Sequence, residues 1–185
     1  FFEALEEEVK EEPLLPRWTG ELYLEFHRGV YTSMGRNKKY NRKGELLLQA
    51  LETVACMAGC RYPSKTLGEC WEILLRNQFH DILPGSSVKE VYEDSKNEYL
   101  RLNRLAKEEL RAAVQRIADQ VRAPEGSLIV VNPSGIEGTY LVEAPLREGC
   151  HLEAAWQPGR QIPMQRIDGQ RVWVETVLPA KGLSA

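Results

Sequence analysis

Between about Asn41 and Met57 the apolar residues Leu47, Ala50, Leu51, Val54 and Ala55 fall on one stripe, the spacing of an amphipathic helix. Gly59 and then Pro63 end it. A second periodic segment opens on Thr66-Leu67-Gly68-Glu69, which has capping-box spacing. It carries Leu67, Cys70, Trp71, Leu74, Leu75 and Phe79 at helical intervals. A third opens on Ser87-Val88-Lys89-Glu90 and continues to about Val121 through Val91, Tyr92, Tyr99, Leu102, Leu105, Val114 and Ile117. Roughly thirty-four residues of helix reach about 50 Å at 1.5 Å per residue. A helix that long, with an apolar stripe and charges of alternating sign elsewhere, is stable only when packed on neighbours. The two shorter helices supply them, so the pattern predicts an antiparallel three-helix bundle.

The flanks read differently. Residues 1–17 look like the acidic end of a preceding helix, closed by Pro13 and Pro16. Arg17 to Ser33 alternates weakly and is rich in polar and aromatic side chains, so it reads as an irregular segment of the kind that carries function. After Arg122-Ala123-Pro124-Glu125-Gly126 the pattern changes to strands. Ser127 to Val131 is a β-branched run, and Asn132-Pro133-Ser134-Gly135 is a turn signal. Tyr140–Glu143, Gln161–Gln165 and Arg171–Glu175 read as further short strands, with a hairpin turn at Asp168-Gly169. Four to six strands ending at Ala185 read as the start of an all-β sandwich. The expected layout is a tail of a preceding domain (1–17), a helical domain (18–124) and the start of a β-sandwich domain (125–185).

Composition narrows the function classes. At 185 residues and 43% hydrophobic, the chain can bury one core and part of a second. A net charge of −3 and a pI near 5.8 leave no electrostatic footprint for nucleic acid. No apolar run is long enough for a membrane helix. Phe1 to Glu8 is acidic, without a basic leader or an apolar core, so it does not read as a signal peptide; without an initiator Met, it reads as cut from something longer. Of the four cysteines, Cys56 and Cys60 sit at i,i+4 without a second pair at zinc-ribbon spacing, and read as free thiols. The triplet Asn132-Pro133-Ser134 has Pro in the position that forbids glycosylation. A reducing cytoplasm is the simplest account.

Chemistry concentrates in Leu74-Leu75-Arg76-Asn77-Gln78-Phe79-His80-Asp81-Ile82-Leu83-Pro84-Gly85-Ser86-Ser87. Adjacent His80 and Asp81 end a helix, Pro84-Gly85 turns the chain, and a new helix starts after Ser87. On a helix the two side chains stand about 100° apart, so both cannot be core. Taken alone, His80 reads as a C-cap bonded to a last-turn carbonyl. With Asp81 beside it and a rigid turn beyond, it also suits a metal ligand next to a hydrogen-bonding carboxylate.

The run, and especially Asn77 to Ser87, resembles the zinc-binding segment of glycoside hydrolase family 38 α-mannosidases. Gly20-Glu21-Leu22-Tyr23-Leu24-Glu25-Phe26-His27-Arg28-Gly29-Val30-Tyr31-Thr32-Ser33 resembles the segment leading into that family's helical domain. The resemblance implies a zinc-dependent retaining α-mannosidase acting on a mannose-containing oligosaccharide. It makes His80 one zinc ligand, and Asp81 a group that hydrogen-bonds sugar hydroxyls, with His27 and Arg28 lining the pocket. Glu25 or Glu21 is the implied general acid, since a retaining glycosidase needs two carboxyl groups about 5 Å apart. His27 and Arg28 read equally well as local partners of Glu25. Lys38, Lys39, Arg42 and Lys43 read as a solvated basic face, and His151 as exposed.

No His-x-Asp occurs in the chain, so the remaining ligands and the nucleophile are expected upstream, in an N-terminal catalytic domain that is the main partner. The chain alone is expected to bind zinc poorly and to hydrolyse nothing; a homo-oligomer is compatible with the sequence. Two other readings stand beside this one. The chain suits a non-catalytic helical scaffold or interaction domain, using the long third helix and Trp71. Cys56, Cys60 and His80 would form a local metal site in the other.

Overall fold

The computed structural model describes residues 1–11, 16–22, 25–59, 62–124, 127–146, 154–157 and 159–184. Among them helices come first and strands second: α1 (Phe2–Val9), a 3-10 turn at Glu25–His27, α2 (Gly35–Met57), α3 (Ser64–Asn77) and α4 (Lys89–Gln120). The strands are β1 (Val130–Asn132), β2 (Gly138–Pro145), β3 (Ala155–Gln157), β4 (Arg160–Ile162), β5 (Met164–Arg166), β6 (Arg171–Leu178) and β7 (Gly182–Ser184). No helix among the described residues is long and apolar enough to cross a membrane. α1 buries none of its residues and stops at Val9. Pro13, expected to close it, lies outside the described residues, as do Cys60, Cys150 and His151.

Helices α2, α3 and α4 pack on one another around Leu48, Leu51, Leu67, Cys70, Ile73, Leu74, Tyr99, Leu102 and Ala106. A second cluster joins the C-terminal parts of α2 and α4 through Val54, Ala58, Ala113 and Ile117, and Val131 of β1 packs against it. The buried face of α3 runs through Leu67, Cys70, Ile73, Leu74 and Asn77. Leu75 and Phe79, expected on that face, are instead exposed.

The helix starts depart from expectation for tertiary reasons. α2 begins at Gly35 rather than near Asn41. Its first turns bury Asn37, Asn41 and Gly44, polar or small residues that hydrophobic periodicity does not register. Neither capping box forms. Thr66 Oγ1 donates to Glu109 Oε1 of α4 at 3.1 Å instead of capping α3. α4 has no side-chain cap, and the Ser87 N–H donates to the Tyr92 hydroxyl at 3.0 Å.

The described strands form three antiparallel sheets: β1 with β7, β2–β6–β5, and β3 with β4. Ala144, Ile162, Val172 and Val174 make their small core. Pro163 divides the expected strand Gln161–Gln165 into β4 and β5, because proline cannot donate to a ladder. The Asp168-Gly169 turn joins β5 to β6 as its sequence predicts. Asp168 accepts the Gln170 N–H at 2.8 Å and Arg171 Nε at 2.9 Å, contacts that hold its carboxyl below the usual range. Buried Asn132 organises the turn after β1, donating to the carbonyls of Ile136 and Pro179, each at 2.9 Å.

Candidate functional site

α3 ends at Asn77, so His80 and Asp81 lie in the following turn and not on the helix. Their side chains are therefore not set about 100° apart by a helix. The turn is built by backbone bonds: Ile82 and Leu83 N–H donate to the Phe79 carbonyl at 2.9 and 3.1 Å, and Gly85 N–H to Ile82 at 3.2 Å. Its remaining carbonyls are met from behind. The Tyr92 hydroxyl of α4 lies 3.3 Å from both the Asp81 and the Ile82 carbonyl. Lys38 Nζ of α2 donates to the carbonyls of Leu83 at 2.9 Å and Pro84 at 3.2 Å, and also to Ser33 at 2.6 Å. Four successive carbonyls, from Asp81 to Pro84, are thus engaged by the helical unit. Gly85 completes the contact: at φ +96° a Cβ there would sit 2.8 Å from Ser33 Cβ, so only glycine lets the two segments approach.

A polar layer lies beneath the turn. Asn77, 1% exposed, donates to the Ile73 carbonyl at 2.9 Å and to Glu98 Oε2 at 2.6 Å. Gln78 donates to Asn41 Oδ1 at 3.1 Å and Glu45 Oε1 at 2.9 Å. The Tyr99 hydroxyl donates to Asn41 Oδ1 at 3.3 Å, and Ser95 Oγ to Asn37 Oδ1 at 2.7 Å. Burial, reinforced by the charges of Glu45 and Glu98, pushes the Tyr99 hydroxyl well above its ordinary pKa, so it stays a donor. These bonds tie α2, α3 and α4 together beneath the turn, although Asn37 Nδ2 is buried without a hydrogen-bond partner.

The side chains of His80 and Asp81 face outward, 79% and 50% exposed, with His80 Nε2 3.7 Å from Asp81 Oδ2. That separation is an ion-pair distance rather than a hydrogen bond. Ser86 Oγ donates to Asp81 Oδ1 at 3.3 Å, and the Phe79 ring lies 4.2 Å from the imidazole. Among the described residues His80 contacts these groups and not a last-turn carbonyl, so the C-cap reading does not hold. The N–H groups of Arg28, Val30 and Ser33 donate to the carbonyls of Glu25, His27 and Gly29, a chain of turns that leads to the Ser33 carbonyl held by Lys38. Glu25 pairs with Arg28 NH2 at 2.8 Å, both largely exposed. Glu21 is exposed, and its carbonyl accepts Trp18 Nε1–H at 2.9 Å. His27 is exposed as well.

Lys38, expected on a solvated basic face, is half-buried and spends its donors on backbone carbonyls. Burial pulls its pKa below the ordinary lysine value. Nothing in the sequence marks this role, because two of its three partners lie forty-five and forty-six residues away and all three are main-chain atoms. No group of three or more His, Cys, Asp and Glu comes together among the described residues. His80 and Asp81 are thus two exposed polar side chains, short of a complete metal-ligand set among the described residues. The proposed Cys56–Cys60–His80 set rests in part on Cys60, outside the described residues.

Fold and site together define a helical module that offers a braced histidine–carboxylate pair beside a carboxylate-bearing entry segment. A family model for the α-mannosidase middle domain matches residues 25–117. The α-mannosidase of Saccharomyces cerevisiae is 48% identical over 85 residues, covering 43% of this chain and 8% of that protein. Human α-mannosidase 2C1 is 37% identical over 155 residues, 81% of this chain and 14% of that protein. A glycosyl hydrolase family 38 protein from Enterococcus faecalis superposes with a TM-score of 0.63 at 20% identity, over 100% of this chain and 26% of that one. That last likeness is one of fold. The chain belongs to the α-mannosidases of glycoside hydrolase family 38, and it spans only a small part of the length of these relatives.

Proposed function

We propose that this chain is the middle portion of a zinc-dependent retaining α-mannosidase that hydrolyses α-mannosidic bonds in mannose-containing oligosaccharides. The observation that carries the reading is the outward-facing His80–Asp81 pair on a turn whose carbonyls from Asp81 to Pro84 are engaged from behind. Ligand side chains held by packed, hydrogen-bonded supports are what a metal and sugar site requires. His80 is the residue that would hold zinc, which when bound supplies an open coordination position for sugar hydroxyls. Asp81 accepts hydrogen bonds from those hydroxyls and so orients the ring. Glu25 or Glu21 donates the proton to the leaving oxygen, while His27 and Arg28 line the pocket. Both carboxylates stand on the open surface here. A general acid works in a water-excluding cleft, which an N-terminal catalytic domain, the implied partner, would close over this face.

Within this reading residues 1–17 end the catalytic domain, 18–124 form a middle domain whose three long helices make an antiparallel bundle, and 125–185 open a β-sandwich. The free thiols of Cys56 and Cys70 support a cytoplasmic setting. The test is zinc content and α-mannoside hydrolysis of the full-length enzyme with and without His80→Ala. Loss of about tenfold or more in metal affinity together with turnover, in a protein that stays folded, is expected. Unchanged zinc and turnover would remove His80 from the site.

A further inference from the structure

We infer that Lys38 is a positioning residue of this site: its ammonium sets where the His80–Asp81 turn stands relative to the segment that carries Glu25. The inference rests on the reading of that turn as the metal- and sugar-binding element. An ammonium has three donors, and Lys38 directs all three at carbonyls, those of Ser33, Leu83 and Pro84. No carboxylate pairs with it among the ion pairs of the described residues. Two of the three carbonyls belong to the turn and one to the end of the Glu25 segment, so a single side chain joins both. The turn's carbonyl end carries partial negative charge like the end of a helix, which favours a cation there. Burial disfavours that cation and holds its pKa below the ordinary lysine value, so the three charge-assisted bonds offset only part of the cost.

The partition of tasks around the turn is equally informative. Tyr92 reaches the carbonyls beside Asp81, whereas Lys38 reaches those beyond it and ties them to Ser33. Tyr92 fixes the shape of the turn; Lys38 fixes its place against another segment. Replacing Lys38 by a neutral side chain leaves the apolar core of α2, α3 and α4 untouched, because Lys38 is not part of it.

The experiment compares the full-length enzyme with its Lys38→Met and Lys38→Arg variants. Hydrogen exchange is followed at the Ile82, Leu83 and Gly85 amides of the turn, and at Leu48, Leu74 and Leu102 of the core. Zinc retention against a competing chelator and the separate values of kcat and KM complete it. In Lys38→Met, exchange should quicken at the turn amides and stay unchanged in the core. Zinc affinity and kcat should each fall by about tenfold to a hundredfold. Lys38→Arg, which keeps the charge but offers a planar fork, should recover part of both losses. Should Lys38→Met fail to fold, Lys38→Gln serves in its place. Turn exchange identical to the parent, or zinc affinity and kcat unchanged in the variant, would overturn the inference. If the parent enzyme holds no zinc, the metal reading fails by itself, and the exchange comparison still decides whether Lys38 holds the turn.

Discussion

Cys70 and Cys56 show how far one residue's surroundings decide its chemistry. The Cys70 thiol is buried in the helical core, and its Sγ lies 3.9 Å from the Leu102 carbonyl. Burial first, and the Glu69 carboxylate second, push its pKa up to about 11, against a smaller opposing effect of Arg101. Cys56 is exposed. Only a thiolate alkylates readily. Iodoacetamide applied to the native protein near pH 8 is thus expected to label Cys56 and spare Cys70 until denaturant is added, as peptide mass mapping would reveal. Early labelling of Cys70 would mean that the packing around it opens. At this scale the sequence was a mixed guide. His80 and Asp81 stood out because a histidine–carboxylate pair before Pro-Gly is a local pattern, and the turn does present both. Lys38 did not stand out, because one lysine among four basic residues looks like solvated charge until its distant carbonyl partners are known.

Helix identity was legible from periodicity, whereas helix beginnings were not. The first turns of α2 are held by Asn37 and Asn41, whose value lies in hydrogen bonds to Ser95, Gln78 and Tyr99 rather than in hydrophobicity. Likewise Thr66 and Ser87 carried the right capping spacing, and both found other partners. Two glycines inside helices allow the packing to be tested with opposite signs. At Gly44 in α2 an added Cβ would lie 2.7 Å from Leu74 Cδ1, in a core where Leu74 has no room to move. Overpacking there costs about 1–3 kcal/mol, more than the roughly 1 kcal/mol that alanine gains over glycine in a helix. Gly44→Ala should therefore lower the urea midpoint. At Gly68 in α3 nothing lies within 4 Å of the added carbon. Gly68→Ala should raise the midpoint, by about 0.5–1 kcal/mol of stability. A raised midpoint at Gly44→Ala as well would show that α2 does not cross α3 as closely as Gly44 requires.

Across the whole molecule the chemistry is divided from the means to perform it. The described residues gather no group of three or more His, Cys, Asp and Glu, at His80 or elsewhere. The 185-residue polypeptide, prepared alone, is accordingly expected to surrender zinc to a weak chelator and to leave aryl α-mannosides intact, checked by metal analysis after dialysis and by a chromogenic assay. Tight zinc retention by this polypeptide would require ligands among residues outside those described. The order of helices before strands could be read in advance, but the pairing of β1 with β7 could not, since it joins runs about fifty residues apart. The braced turn has one more consequence, for what the chain can tolerate. Surface loops usually accept an extra residue at little cost. Here an insertion after Ile82 would advance the main chain by one place past Lys38 while Asp81 stayed with Tyr92, and Gly85 would lose its seat against Ser33. The stretch from Phe79 to Gly85 therefore behaves as a ruler, in which the number of residues is constrained more tightly than the identity of most of them.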